Sequence, residues 1–239
     1  MSFYEGKTFK DIVAGNSYVG RGIVIGQSED ASKAVIAYFI MGRSDNSRNR
    51  VFVRNGENLM IKPFDESKVE DPSLIIYYPV RKLNNTVIVT NGNQTDTIFN
   101  YLQDGETFED ALDSREFEPD APNFTPRISG MVSLDSGKFS YKMSILKSGD
   151  AEGSFCNRFY YNYCCKAGIG HFIHTYEHDG NPIPTFVGEP RRVRIPNSID
   201  DFAKEIWTSL DEDNKISLYV EYIDLKTGEV TSKLVNKNK

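Results

Sequence analysis

The sequence lacks the segments that carry a protein into or across a membrane. No apolar run approaches the ~20 residues that a membrane-spanning helix needs, so we expect a chain that does not enter a membrane. The first residues, MSFYEGK, show no basic stretch followed by an apolar core of the kind found in secretion signals. We therefore predict a cytoplasmic protein.

Cysteine is scarce, and the common metal and phosphate motifs do not occur. Cys156, Cys164 and Cys165 are an odd number without CxxC spacing, which argues against a disulfide framework and a closed zinc site. Neither HExxH nor GxxxxGK[ST] occurs. We interpret the cysteines as reduced thiols of the core.

Three histidines form the one cluster that invites a metal. They lie in HFIHTYEH, residues 171–178. The intervening Phe, Ile and Tyr favour a strand, on which His171 and His174 face opposite sides. We therefore predict no metal site, and the role of His171, His174 and His178 stays open.

An excess of positive charge is also missing. The chain has 28 Lys and Arg against 34 Asp and Glu, a net charge of -6. Proteins that bind nucleic acid along its backbone rely on a broad basic surface. The composition therefore argues against a nucleic-acid partner and favours local use of the arginines, such as binding one small anion.

What is present fits one globular domain over residues 1–239, with residues 1–17 as an N-terminal extension. Short runs rich in Val, Ile, Phe and Tyr predict strands. We expect strands at 21–27, 34–41, 50–54, 58–62, 74–82, 86–89, 128–134, 139–146, 158–163, 170–176, 191–195, 216–224 and 229–235. Helices are predicted at 94–103, at 107–113 and from 199, and an irregular loop at 116–126. This order predicts an α+β fold of two sheets with helices outside.

The segment MGRSDNSRNR, residues 41–50, directly follows the apolar strand predicted at 34–41. It combines arginines with amide and hydroxyl donors, and guanidinium geometry matches phosphate oxygens two at a time. We interpret it as an anion site, and a solvated surface loop is the alternative. The loop TNGNQTD at 90–96 joins a strand to a helix, where backbone N–H groups can hold an anion. An ordinary helix start would look the same.

Four motifs together resemble one enzyme family. They are YVGR at 18–21, Tyr38 followed by RSDNSRNR at 43–50, VTNGNQTD at 89–96 and TPRI at 125–128. In order and spacing they are similar to the archaeal-type IMP cyclohydrolases and their bacterial relatives. The likeness is clearest over residues 18–130, and GHFIHTYEHDGNP at 170–182 looks like the bacterial branch.

The resemblance implies a fold and a reaction. The implied fold is a four-layer αββα sandwich like that of the N-terminal-nucleophile hydrolases, with two packed, mostly antiparallel sheets. The implied reaction closes 5-formamidoimidazole-4-carboxamide ribonucleotide to IMP with loss of water, the last step of de novo purine biosynthesis. It uses no metal or organic cofactor, and its partner is a small purine ribonucleotide. A homo-oligomer is left open.

Two other functions stay open beside it. One is an amidohydrolase acting on another phosphorylated amide. The other is a purine-nucleotide-binding protein without catalysis. A relative that kept the fold and changed its substrate would have a similar sequence.

The resemblance also implies site residues. Arg43 would orient the formyl or carboxamide oxygen, Tyr77 would donate or shuttle a proton, and Glu118 would act as base or carboxamide anchor. Rivals for the last two roles are Tyr78 and, for the carboxylate, Glu116 and Asp120. The remaining expected substrate contacts are Arg21, Ser44, Asn46, Arg48, Asn49, Arg50, Asn91, Gly92, Thr95 and Arg127.

Overall fold

The computed structural model describes residues 5–68 and 76–238. Residues 1–4 of the predicted extension, residues 74–75 of the strand predicted at 74–82, and residue 239 lie outside the described part. Within the described ranges, no helix is long and apolar enough to cross a membrane.

Eighteen helices and strands, joined mostly by short turns, make up the described chain. In chain order they are α1 (Phe9–Val13), β1 (Arg21–Gln27), β2 (Lys33–Met41), α2 (Asp45–Arg48), β3 (Val51–Asn55), β4 (Asn58–Lys62), β5 (Val80–Leu83), β6 (Thr86–Thr90), α3 (Gln94–Gln103), α4 (Phe108–Asp113), β7 (Arg127–Asp135), β8 (Lys138–Ser148), β9 (Cys156–Cys164), β10 (Ile169–His174), β11 (Arg191–Arg194), α5 (Ile199–Ser209), β12 (Lys215–Asp224) and β13 (Val230–Asn236). A 3₁₀ turn at Glu66–Lys68 follows β4.

The strands form two antiparallel sheets. A six-stranded sheet has the order β11-β10-β1-β2-β12-β13, and a seven-stranded sheet runs from β3 to β9 in sequence order. The α+β class and the two mostly antiparallel sheets are therefore as predicted. Because α3 and α4 lie between β6 and β7 in the chain but β6 pairs with β7, this helical pair folds back over the sheet.

Alternating apolar side chains give each sheet two buried faces. Ile23 and Ile25 of β1 pack toward the seven-stranded sheet in the core between the sheets. Val24, one residue along, packs with Phe202 of α5 on the outer face of the six-stranded sheet. Ile98 of α3 belongs to a third core, on the outer face of the seven-stranded sheet. The helices therefore cover the faces that the sheets do not bury against each other.

Capping residues set where the helices begin. Ser198 accepts a hydrogen bond from the backbone N–H of Asp201 at the start of α5. Thr107 and Asp110 form a reciprocal capping box at the start of α4. Each cap satisfies backbone donors that a helix start leaves without partners.

Most strand predictions agree with the structure to within two residues, but the strand predicted at 74–82 is wrong in its described part. β5 begins only at Val80. Pro79 has no N–H to donate and restricts the residue before it, which delays the strand. Tyr77 therefore lies in an extended segment ahead of β5, where its carbonyl accepts from the backbone N–H of Ile61 at 2.9 Å.

Two helices were not predicted. α1 has five residues and lies in the N-terminal extension, and α2 is a single turn inside the arginine segment. Apolar periodicity cannot reveal elements this short, because they offer no repeated spacing to detect. The strand predicted at 170–176 also ends two residues early, at His174.

Strands β1 and β10 approach each other closely at Gly26 of β1. It pairs with Gly170, and a Cβ on Gly26 would lie 2.4 Å from the Cα of Gly170. We expect Gly26→Ala to lower the free energy of unfolding by about 1–3 kcal/mol, the usual cost of overpacking. Urea unfolding measures this loss. Ser140→Ala, at an exposed position of β8, is the control, and an equal loss in both variants would contradict the packing argument.

Candidate active site

A cavity of about 430 Å³ opens where the two sheets, the arginine segment and the 116–126 loop meet. Most of the lining residues have polar side chains. The lining residues are Tyr18, Arg21, Arg43, Ser44, Ser47, Arg50, Tyr77, Asn91, Gly92, Asn93, Glu118, Asp120, Asn123, Thr125, Tyr176 and Ile183. The volume is in the range of small-molecule sites.

The arginine segment reaches this cavity through the turn of α2. Ser44 caps α2, and its hydroxyl accepts from the backbone N–H of Ser47 at 3.2 Å. This tight turn leaves Arg43 before it and Arg50 after it, both lining the cavity. The arginine segment therefore lines one side of the cavity.

Arg21 and Arg50 are the main positive charges of the cavity. Across residues 5–68 and 76–238, neither side chain forms an ion pair, and the Nε atoms of both are buried without a hydrogen-bond partner. Burial lowers the pKa of Arg50, and nearby Arg21 lowers it further. Burial also opposes the charge of Arg21, but surrounding tyrosines, Tyr18 and Tyr77 first among them, outweigh it and raise its pKa. Both guanidiniums stay charged at neutral pH, so the pair is a site for an anion.

Arg43 sits at the rim and already has partners. Its guanidinium bonds to the Asp179 carboxylate and donates to the carbonyl oxygen of Gly180 at 2.9 Å. It also lies 5.2 Å from the ring centroid of Tyr18, within cation–π range. About a third of the side chain is exposed. These contacts hold the guanidinium at the cavity mouth.

Tyr77 lies inside the cavity wall and links the sheets. Its hydroxyl donates to the carbonyl oxygen of Asn91 at 2.8 Å and is 3.2 Å from the hydroxyl of Tyr38. Because its proton goes to Asn91, Tyr38 must donate to Tyr77. Burial raises the pKa of Tyr77, against the effect of Arg21 and Arg50. Tyr77 is therefore protonated at neutral pH. Tyr78 does not line the cavity, and its hydroxyl accepts from Asn55 at 2.7 Å.

Glu118 is held in a two-point ion pair with Arg127. The Arg127 guanidinium reaches Glu118 Oε1 at 2.7 Å and Oε2 at 3.0 Å. Gly92 makes this possible, since a Cβ there would lie 3.0 Å from Glu118 Oε1 and 2.8 Å from the guanidinium. Arg127 is buried behind Glu118 and does not line the cavity. The pair therefore presents an oriented carboxylate acceptor. Glu116 is exposed and does not line the cavity.

Asp120, the other rival carboxylate, ends a hydrogen-bond relay in the same wall. It accepts from the backbone N–H of Thr125 at 2.6 Å and from the Thr125 hydroxyl. Since that hydroxyl proton goes to the carboxylate, the Tyr176 hydroxyl, 2.6 Å away, must donate to Thr125. Burial raises the pKa of Tyr176 to about 12, so it keeps its proton. Tyr176 therefore shows only lone pairs to the cavity.

Besides Arg127, four predicted contact residues lie away from the cavity, and three of these bond to other parts of the chain. Arg48 donates to the Gly42 carbonyl and to Asn214, while Asn49 makes two hydrogen bonds with the backbone of Asp65. Asn46 lines a separate surface depression. Thr95 is buried and bonds to Thr90 and to the carbonyl of Gly92. Arg21, Ser44, Arg50, Asn91 and Gly92 do line the cavity.

Asn91 contributes mainly by its position. Its side chain accepts from the backbone N–H of Ile128 at 2.9 Å and donates to the Pro126 carbonyl at 2.8 Å. These bonds join the loop after β6 to the start of β7. The carbonyl oxygen of Asn91 is thereby placed to accept the hydrogen bond from the Tyr77 hydroxyl.

Several lining residues were not among the sequence predictions. They are Tyr18, Ser47, Asn93, Asn123, Thr125, Tyr176 and Ile183. Tyr18 and Thr125 stand in the motifs YVGR and TPRI, so motif membership could have marked them. Tyr176 stands in the segment GHFIHTYEHDGNP, which also resembles the family, but its place beside Tyr18, 158 positions away in the chain, at a centroid distance of 5.9 Å, could not be read from the sequence.

The histidines do not converge. His171 stacks on Tyr163 with centroids 3.6 Å apart, whereas His174 packs on Phe172 and donates from Nδ1 to the Tyr176 carbonyl. Burial lowers the pKa of both to about 4. Over the described residues, no group of three His, Cys, Asp or Glu side chains is placed to hold a metal ion. The three cysteines are free thiols, but Cys164 is exposed and the other two are partly buried, so the interpretation as core thiols is wrong for Cys164.

Comparison with known proteins defines the class. The family model of the IMP cyclohydrolase-like proteins matches residues 18–228, nearly the whole described chain. The chain therefore belongs to the IMP cyclohydrolase-like family, in agreement with the resemblance seen in its motifs.

Relatives named IMP cyclohydrolase come from methane-producing archaea. The protein of Methanothrix thermoacetophila is 36% identical over 120 residues, which is 48% of this chain and 58% of the relative. That of Methanopyrus kandleri is 34% identical over 116 residues, 47% of this chain and 57% of the relative. That of Methanococcus aeolicus is 29% identical over 128 residues, which is 52% of this chain and 62% of the relative. The chain thus spans less than two thirds of each relative's length.

The unpaired guanidiniums give a prediction about anion binding. We expect inorganic phosphate to raise the melting temperature, because it binds the folded site and not the unfolded chain. Arg50→Met should weaken phosphate binding by about tenfold or more. It should not lower the melting temperature without phosphate, since it removes a buried charge that repels Arg21. Differential scanning calorimetry at constant ionic strength measures both. Arg54→Met is the control, because Arg54 packs on Tyr219 away from the cavity; the same phosphate response in both variants would contradict the assignment.

The relay through Thr125 gives a second prediction. Thr125→Val should lower the free energy of unfolding by about 1–3 kcal/mol, because it removes the acceptor of the buried Tyr176 hydroxyl and one hydrogen bond to Asp120. Thr125→Ser keeps the hydroxyl and should recover most of the loss. Urea unfolding of the three proteins distinguishes them, and a Val variant as stable as the unaltered protein would contradict the relay.

Proposed function

We propose that this protein is an IMP cyclohydrolase, which closes 5-formamidoimidazole-4-carboxamide ribonucleotide to IMP with release of water. The observation that carries the proposal is the pair of unpaired guanidiniums, Arg21 and Arg50, inside a nucleotide-sized cavity. The family of the chain and the names of its archaeal relatives support the same substrate. The substrate's 5′-phosphate supplies the negative charge that these two guanidiniums lack among the described residues.

The polarity of the cavity matches the two ends of this substrate. We assign the guanidiniums of Arg21 and Arg50 to the phosphate. Carboxamide N–H groups require acceptors, so we assign the imidazole carboxamide to the Glu118 carboxylate that Arg127 holds.

Ring closure needs two proton movements. The carboxamide nitrogen forms a bond to the formyl carbon and loses one proton. The formamido nitrogen loses a second proton as its bond to that carbon becomes double, and the formyl oxygen takes up two protons, breaks its bond to carbon and leaves as water. In this proposal the Glu118 carboxylate accepts a hydrogen bond from the carboxamide N–H and so orients the amide. Arg127 keeps the carboxylate in place. Tyr77, protonated at neutral pH, donates to the formyl oxygen after exchanging its bond to the Asn91 carbonyl. Arg43 stabilises charge that develops on that oxygen.

We also infer that the chain has a fold related to that of the N-terminal-nucleophile hydrolases. The two packed sheets with helices on both outer faces suit the four-layer αββα arrangement of the N-terminal-nucleophile hydrolases. The proposed reaction assigns no role to a nucleophile at the chain start. We propose that the protein acts in the cytoplasm. In the proposed reaction, protein side chains alone transfer the protons.

A direct assay tests the reaction. Purified protein given the formamido ribonucleotide should form IMP, followed by the change in ultraviolet absorbance and by chromatography. IMP formation no faster than in buffer would reject the proposal. Tight IMP binding without turnover would instead favour a purine-nucleotide-binding protein, and turnover of other phosphorylated amides would favour an amidohydrolase.

The role of Arg43 gives a prediction about rate. We expect Arg43→Ala to lower kcat/KM by about 2–4 kcal/mol of transition-state stabilisation. Because Arg43 also pairs with Asp179, Asp179→Asn is the matched control: it removes the ion pair and leaves the guanidinium. Steady-state kinetics should show a much smaller effect for Asp179→Asn. Equal losses would mean that the ion pair matters and not the contact with substrate.

A further inference from the structure

Strand β9 is an edge strand of the seven-stranded sheet, and its outer edge carries no strand among the described residues. It has nine residues, CNRFYYNYC, with one charged side chain, Arg158. Large apolar side chains are exposed along and beside it: Phe159 is 41% and Phe155 is 52% exposed. A long apolar edge of this kind is a ready template for pairing with another strand.

The other three sheet edges are blocked or charged. On β3 the Asn236 side chain bonds to both backbone groups of Phe52. On β11 the backbone of Lys7 bonds to Arg192 and Arg194. On β13 the edge carries Lys233, paired with Asp200. These are the usual protections against unwanted pairing. β9, like β13, carries one ion-paired residue, Arg158 with Asp113, but β9 is longer, nine residues against seven, and the ring of Phe159 is exposed on it.

The direction of the free backbone groups follows from the pairing with β8. The N–H of Gly149 donates to the Phe155 carbonyl at 3.0 Å. Bonded and non-bonded pairs alternate along antiparallel strands. The odd-numbered residues of β9 therefore bond to β8, and Cys156, Arg158, Tyr160, Asn162 and Cys164 point their backbone groups outward.

We propose that β9 pairs antiparallel with β9 of a second copy of this chain, about a two-fold axis at Tyr160. This register aligns all nine residues with a partner strand. It sets Arg158 opposite Asn162 and Phe159 opposite Tyr161. Moving the axis by two residues sets Arg158 opposite itself or opposite Lys166, and like charges directly opposite are destabilising. The sheet then continues from one subunit into the next, and the exposed aromatic side chains become buried.

The charge at residue 162 tests the register. In this dimer Asn162→Glu sets a carboxylate opposite each Arg158, and Asn162→Arg sets a second guanidinium there. Asn162 is exposed but lies opposite Lys142 of β8, so circular dichroism and the melting temperature of each variant first establish that the fold is kept. We expect the dimer Kd to fall by about 3- to 10-fold for Glu and to rise by a similar factor for Arg. Analytical ultracentrifugation over a concentration series measures these values.

Outcomes of that series decide the proposal. A mass of 27.1 kDa for the unaltered protein at every concentration overturns it. A dimer that responds equally to Glu and Arg at residue 162, or to neither, places the interface elsewhere and also overturns it. Only opposite shifts support pairing in this register.

The cysteines at the strand ends give an independent readout. In the proposed dimer Cys156 lies opposite Cys164 of the second copy, in a hydrogen-bonded pair whose Cα atoms are about 5.5 Å apart, which a disulfide can span. Mild oxidation of the dimer with copper phenanthroline should yield a disulfide-linked species on a non-reducing gel. Cys156→Ser or Cys164→Ser should abolish it, and Cys165→Ser should not. Cross-linking that depends on Cys165 alone would contradict the register.

Discussion

Two guanidinium groups without carboxylate partners, Arg21 and Arg50, are the constraint around which the described structure is arranged. Burying unpaired charge is costly, because the interior cannot replace the solvation of water. Their Nε atoms have no hydrogen-bond partner within the described chain. Arg21 is the first residue of β1 and Arg50 directly precedes β3, so one strand of each sheet fixes the backbone from which each side chain reaches the cavity.

The same arrangement explains how an acidic protein offers a site for an anion. The net charge of -6 is a property of the whole surface. Inside the cavity, low dielectric surroundings strengthen local charges, and the position of each group matters more than the total. Glu118 forms no ion pair with Arg21 or Arg50, and both of its oxygens are bonded to Arg127. The arginine pair is therefore left for a ligand that is anionic at one end.

Local pattern was sufficient for most of the sheets and failed where one residue changed the backbone. The alternation in β1 and β2 reflects burial on two faces, and it predicted both strands closely. Around Tyr77 the apolar run looked continuous, but Pro79 cannot take part in a regular ladder. Tyr77 thus leaves the strand, and this departure lets its hydroxyl meet both Tyr38 and the carbonyl of Asn91.

Short-range spacing and motif order were enough to indicate the family, the alternation of strands and helices, and the residue types of the site. Which arginines reach the cavity depends instead on long-range packing. Arg48 and Arg50 are two residues apart, yet Arg48 bonds to Asn214, which lies 166 positions along the chain, and Arg50 faces the cavity. Tyr176 likewise joins the site through contacts with Tyr18 and Thr125. Contacts between residues so far apart in the chain leave no trace in local pattern.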